Sequence, residues 1–202
     1  MDTARKARGV TLIELLVGIS ILGLLMVMAA PGLSEWLANT RVRNTAEALS
    51  ASLQAAKGEA VARNLRVRFQ LTSSLGDDCV VNDSGPNWVV NIDPDANPDA
   101  VEGACDAAPS DTVAPRLLSS HDGREGAAGT VIEGSVETLV FNSLGRLTPV
   151  PAGDVSFEVR TPDDAECVAN GGTRTCRRVV VSPVGQVRPG NPPLSAPTPG
   201  PC

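Results

Sequence analysis

Val10-Thr11-Leu12-Ile13-Glu14-Leu15-Leu16-Val17 opens the run VTLIELLVGISILGLLMVMAAPGL, which ends at Leu33 and carries one charge, Glu14, in 24 residues. At 1.5 Å per residue this makes roughly 36 Å of helix, enough to cross a hydrocarbon core of about 30 Å. The preceding leader, MDTARKARG, holds Arg5, Lys6 and Arg8. Cations ahead of a first apolar segment keep that end in the cytoplasm, so the rest of the chain is expected outside it. A cleavable secretory signal would have a shorter apolar core and a small-residue cut site, which Ala29-Ala30 imitates. A plain anchor accounts for the length but not for Glu14. A carboxylate in a spanning helix costs about 2.5–3.5 kcal/mol at the bilayer centre, so an acid there is a functional residue by default.

The rest of the chain narrows the classes. Its 202 residues carry 17 Lys+Arg against 23 Asp+Glu, a formal charge of -6. A protein that coats nucleic acid with its whole surface needs a cationic excess, which is missing. Aromatics make up 2% with no Tyr, so stacking platforms for single strands are nearly absent. One His, His121, leaves little room for zinc or His-based catalysis. It lies in a Ser-Ser-His-Asp-Gly stretch read as an exposed loop. Asp77-Asp78 and Asp163-Asp164 are adjacent pairs, not a spacing that holds carboxylates across a substrate. No enzyme, resident cofactor or metal is expected.

Gly9 followed by Val10-Thr11-Leu12-Ile13-Glu14 and an unbroken apolar stretch resembles the signal of type IV prepilins and type II secretion pseudopilins. The resemblance implies cleavage after Gly9 by a membrane prepilin peptidase, N-methylation of the new terminus at Val10, and a register role for Glu14 as fifth residue of the product. Val10 departs from the usual Phe of that family. Pro31 matches a proline that loosens such helices. The physics fits: a new ammonium at Val10 needs a partner once buried, and Glu14 of a neighbouring subunit supplies one. Implied partners are other pilin or pseudopilin subunits, the peptidase and an inner-membrane assembly platform. The implied location is the inner membrane, single-pass with a periplasmic head, then a pilus or pseudopilus.

Past Pro31-Gly32, Val42, Ala46, Leu49, Leu53, Ala56 and Ala60 recur at spacings of four and three, one apolar stripe. The helix is expected from about Leu12 to Ala62, with Asn64 as its stop. The period then changes to two in Arg66–Leu71 and Val155–Val159. Shorter strands are expected at Cys79–Asn82, Trp88–Ile92, Arg116–Ser119, Thr138–Phe141, Arg178–Ser182 and Gln186–Arg188. The fold class is α+β, a long N-terminal helix packed on an antiparallel head of seven or eight strands, sheet or sandwich, pilin-like. The expected divisions are 1–9 leader, 10–33 membrane or filament-core half, 34–63 amphipathic half, 64–188 β-rich head and 189–202 Pro-rich disordered tail.

Two head segments, Val140-Phe141-Asn142-Ser143-Leu144-Gly145-Arg146 and Arg178-Val179-Val180-Val181-Ser182-Pro183-Val184-Gly185-Gln186-Val187-Arg188, resemble strand–Gly–strand signatures of the GspH/FimT branch, and Trp88 fits it too. That branch holds a secretion pseudopilin and a pilus minor pilin, which share every motif here. Gly145 and Gly185 are read as turn residues. In FimT proteins a Gly-Arg-x-Arg motif near the end is associated with DNA binding. Here Gly185-Gln186-Val187-Arg188 keeps one of the two cations. Arg177, Arg178 and Arg188 are the DNA-contact residues of that alternative, with Arg160 and Arg174 nearby and Asp163, Asp164 and Glu166 offsetting them.

Cys79, Cys105, Cys167, Cys176 and Cys202 all follow the apolar run, where an oxidising compartment favours pairing. Cys167 and Cys176 flank the turn Asn170-Gly171-Gly172 and form the first expected bridge; Cys79–Cys105 is the second, and Cys202 is left over. Asp93, Asp95, Asn97 and Asp99 alternate as at the start of a calcium loop. Pro98 and Ala104 replace the expected Gly and Glu, so a solvated acidic loop is the adopted reading and calcium the alternative.

Overall fold

The computed structural model describes residues 11–93, 101–123, 129–162, 167 and 175–190, without the side chains of 27–34. Helix α1 spans Leu12–Arg63. Among the described residues nine strands follow: β1 Val67–Thr72, β2 Ser84–Gly85, β3 Asn87–Ile92, β4 Leu117–His121, β5 Val131–Gly134, β6 Thr138–Phe141, β7 Val155–Arg160, β8 Arg177–Val181 and β9 Val187–Gly190. They form two antiparallel sheets, ordered β4-β3-β1-β6 and β2-β5-β7-β8-β9. The chain divides into two compact units, residues 1–37 and 38–202. The second half of α1 thus belongs to one unit with the sheets.

The helix ends where the sequence puts its stop. Asn64 takes φ 54°, the left-handed conformation that closes a helix. Leu65 N–H donates to the Ala60 carbonyl at 3.2 Å and Asn64 N–H to that of Val61 at 3.3 Å, a Schellman pattern. Val42, Leu49, Leu53, Ala56 and Ala60 are fully buried. They share a core with Val67, Phe69 and Leu71 of β1, Trp88 and Val90 of β3, Phe157 of β7 and Val179 of β8. Phe69 and Phe157 meet edge to face at 5.6 Å, joining the two sheets. Thr45, beside that stripe, is buried with its hydroxyl 3.1 Å from that of Thr130.

Several expectations change. The alternation of β1 predicts one wet face, yet all six residues are buried. Val89, opposite Gln70 in the register, belongs to a second buried cluster with Val101, Leu117, Cys79 and Cys105. Cys79–Asn82 is no strand: a turn brings Cys79 N–H to the Gly76 carbonyl, and only the bridge of Val81 to Thr72 extends the ladder. Arg116 has φ 55°, outside strand geometry, so β4 starts one residue later and runs on to His121. His121 is no exposed loop residue. It ends β4, half-buried, with its ring stacked on Trp88 at 4.1 Å. Strands β2 and β5 were not expected; both are short and sit among glycines.

Both expected bridges form, Cys79–Cys105 with a Cα separation of 6.2 Å and Cys167–Cys176 with 5.5 Å. Cys202 lies outside the described residues.

Candidate functional site

The N-terminal unit holds the residue expected to set subunit register, Glu14. Thr11 caps α1: its hydroxyl accepts the Glu14 N–H at 3.3 Å and its carbonyl the Leu15 N–H at 3.2 Å. Glu14 therefore sits in the first turn, where the helix dipole favours an anion. Every side chain from Thr11 to Met26 is exposed. Large apolar residues lie all round this helix, Leu12, Ile13, Leu15, Leu16, Val17 and Ile19 among them. Covering them is worth on the order of 10–20 kcal/mol in transfer free energy, so in water the segment has no stable state alone. Ser20 returns its hydroxyl to the Leu16 carbonyl at 2.8 Å and adds no unsatisfied group. Among the described residues no helix is long and apolar enough to cross a membrane. Described side chains follow the apolar run only as far as Met26. Gly9 and Val10 lie outside the described residues. Helix α1 includes Pro31 within its bounds.

The two signature glycines meet. Gly145 and Gly185 have φ 72° and 76°. In each turn the glycine N–H returns to the residue three back, Gly145 to Asn142 at 2.8 Å and Gly185 to Ser182 at 2.7 Å. Asn142 Oδ1 accepts from Leu144 and Arg146 N–H, both at 3.0 Å, and Ser182 Oγ accepts from Gln186 N–H at 3.1 Å. A Cβ on Gly185 would lie 1.8 Å from the Gly145 carbonyl oxygen. The Leu147 N–H donates to the Pro183 carbonyl at 3.1 Å. Turn geometry alone does not account for Gly185: it also lets the two sheets touch backbone to backbone.

The arginines of the DNA alternative are placed among acids. Arg188 pairs with Asp154 at 2.5 Å and Arg178 with Glu158 at 3.0 Å, while Arg160 pairs with Glu133. The neutralising acids are these three; Asp163, Asp164 and Glu166, read as the offsetting group, lie outside the described residues, as does Arg174. Arg177 is exposed and lines a groove of about 570 Å³ with Arg43, Glu47 and Ala51 of α1 and Pro189 of β9. Arg43 and Glu47 pair with each other at 2.8 Å.

Asp93, the first residue of the calcium alternative, is held between two arginines. One carboxylate oxygen takes Arg66 at 2.7 Å and the other takes Arg68. Asp95, Asn97 and Asp99 lie outside the described residues. Glu158, Cys167 and Cys176 cluster closely enough to hold an ion, but the two sulfurs are bonded to each other.

A capped apolar helix with one acid in its first turn, joined to a disulfide-bridged antiparallel head, defines a pilin-type subunit. The prokaryotic N-terminal methylation motif matches residues 4–30, and the family model of type II transport protein GspH matches residues 45–185. The chain belongs to the GspH family. It is similar in fold to the type IV minor pilin FimU of Pseudomonas aeruginosa, with 21% identity over 78% of this chain and 92% of that one and a TM-score of 0.52. A second crystal form of FimU gives 20% identity over 77% and 97%, with a TM-score of 0.49. No curated protein sequence matches the chain.

Proposed function

We propose that this chain is a minor pilin or pseudopilin subunit. It enters the inner membrane with its head in the periplasm. Prepilin peptidase hydrolyses the Gly9–Val10 amide, the new amine is methylated, and the product joins a type II secretion pseudopilus or a type IV pilus through the assembly platform. Its work is structural, supporting secretion or pilus biogenesis. The observation that carries this reading is the unburied apolar turn-on-turn surface from Leu12 to Met26 with Glu14 at its head. Lipid covers it first and neighbouring helices later. In the filament a buried ammonium at Val10 is neutralised by the Glu14 carboxylate of an adjacent subunit, which fixes axial register. Pro31 lacks the N–H that a helix interior uses, so the helix is easily loosened there.

Intact mass of membrane-extracted protein tests cleavage and methylation together. The expected species lacks residues 1–9 and carries one added methyl group; a retained leader, or cleavage near Ala30, refutes the proposal. Glu14→Leu is expected to insert normally yet fail to enter filaments, read by recovery in sheared fibres; wild-type incorporation removes the register role. DNA capture has less support, because Arg178 and Arg188 already hold acid partners. Genes neighbouring this one distinguish secretion from pilus assignment.

A further inference from the structure

We infer that Trp36 anchors the chain at the outer face of the membrane, with its indole lodged at the level of the phospholipid headgroups. The inference deepens the membrane step of the proposed function and rests on that reading.

The charges bracket the span. Glu14 and Glu35 are consecutive charges in the sequence, and the 20 residues between them, 15–34, carry none. All of them lie within α1, Leu12–Arg63. At 1.5 Å per residue they extend about 30 Å, the thickness of a hydrocarbon core. A tilt of about 20° shortens this to about 28 Å, a difference that a bilayer absorbs. One placement keeps both carboxylates out of hydrocarbon: Glu14 at the inner headgroup level and Glu35 at the outer. Sliding the helix by one turn either way draws a charge about 5 Å into the core.

Trp36 follows Glu35 directly, at the outer boundary. Like Glu14 it belongs to the N-terminal unit, residues 1–37. The chain has two tryptophans. Trp88 is 1% exposed and part of the head core, whereas Trp36 is 62% exposed. Leu37 beside it is 40% exposed. The sequence then turns polar with Asn39, Thr40 and Arg41. An indole joins a large apolar ring to a polar N–H, and the membrane interface suits both parts at once. The largest exposed ring of the helix thus falls at the one depth that the flanking charges assign to an interface.

The anchor sets depth. Glu14 and Glu35 mark the boundaries by their cost in hydrocarbon, while Trp36 adds a favourable contact at the outer one. With that end held, the Glu14 carboxylate stays at the inner headgroup level, where its charge costs less than at the bilayer centre. The acid that sets register in the filament is therefore kept hydrated until assembly.

The test inserts the full chain into vesicles of dimyristoleoyl- or dierucoyl-phosphatidylcholine, a thin and a thick bilayer. Each carries phosphatidylcholine with a nitroxide at the headgroup or near the acyl-chain ends. Quenching is read as the difference between the wild type and Trp36→Phe, so that buried Trp88 cancels. Phe replaces a ring that is already exposed, so folding is preserved. Headgroup labels are expected to quench Trp36 at least about twofold more than chain-end labels, in both bilayers. Stronger chain-end quenching in the thick bilayer would show a ring carried by the helix instead of holding it, and overturns the inference. So does a ring that neither label reaches, whether it is open to aqueous iodide or covered by protein. Vesicle flotation separates the two readings. A chain that floats with its ring at another depth refutes the anchor alone; a chain that does not float refutes the membrane reading as well.

Discussion

Gly185→Ala probes the contact that joins the two sheets. An added methyl group lies 1.8 Å from the Gly145 carbonyl oxygen and 3.0 Å from its carbon. No side-chain rotation relieves overlap with backbone, so the turns must separate. Alanine at φ 76° adds about 1–2 kcal/mol of backbone strain. Parting the turns also removes the hydrogen bond between Leu147 and Pro183, worth about 1 kcal/mol. Together with the lost packing, the expected cost is about 3–5 kcal/mol, a large share of an ordinary domain's stability. Two companions calibrate it. Gly145→Ala carries similar strain at φ 72° but meets the flexible end of Lys57 at 2.8 Å, so about 1–2 kcal/mol is expected. Gly153→Ala meets nothing within 4 Å and should change stability by less than about 0.5 kcal/mol. Urea unfolding of the full chain in mild detergent, followed by tryptophan fluorescence with buried Trp88 as reporter, measures all three. A Gly185→Ala cost no larger than that of Gly145→Ala would refute the reasoning, because strain alone would then suffice.

Two further substitutions test the covered face of β1. Asp93→Asn leaves the Arg68 guanidinium, 2% exposed, without its carboxylate, and is expected to cost about 3–5 kcal/mol by urea midpoint. Arg66→Gln, the half-exposed partner of the same carboxylate, should cost under about 1 kcal/mol; equal effects would contradict the burial argument. Cys79→Ser/Cys105→Ser opens a closure of 26 residues and is expected to lower stability by about 2–4 kcal/mol. It should also raise proteolysis between those positions, and unchanged protection there would show that the cluster around Val101 holds without the bridge.

Local periodicity carried much of the fold into view. The stripe from Val42 to Ala60 and the stop at Asn64 are properties of one helix, set by spacing and by one left-handed residue. Strands β1, β3, β6 and β7 alternate or carry enough β-branched and aromatic residues to be read alone. β5 escaped because Val131–Gly134 is four residues long beside Gly129, and β2 because two residues hold no period. The polar positions of β1 misled for a different reason. Arg68 and Gln70 alternate with apolar residues, yet both are buried, with Asp93 and Thr138 as distant polar partners.

The chain order alone determined that a helix with an apolar first half and a striped second half begins near Leu12, that the lone charge of the apolar run is Glu14, and that period-two segments follow. These are interactions among residues within a few positions, so the order of residues specifies them. Which acid neutralises Arg178 or Arg188, and why Gly185 tolerates no Cβ, were decided by tertiary structure. Those pairings join residues distant along the chain, and only the register of the two sheets brings them within contact distance.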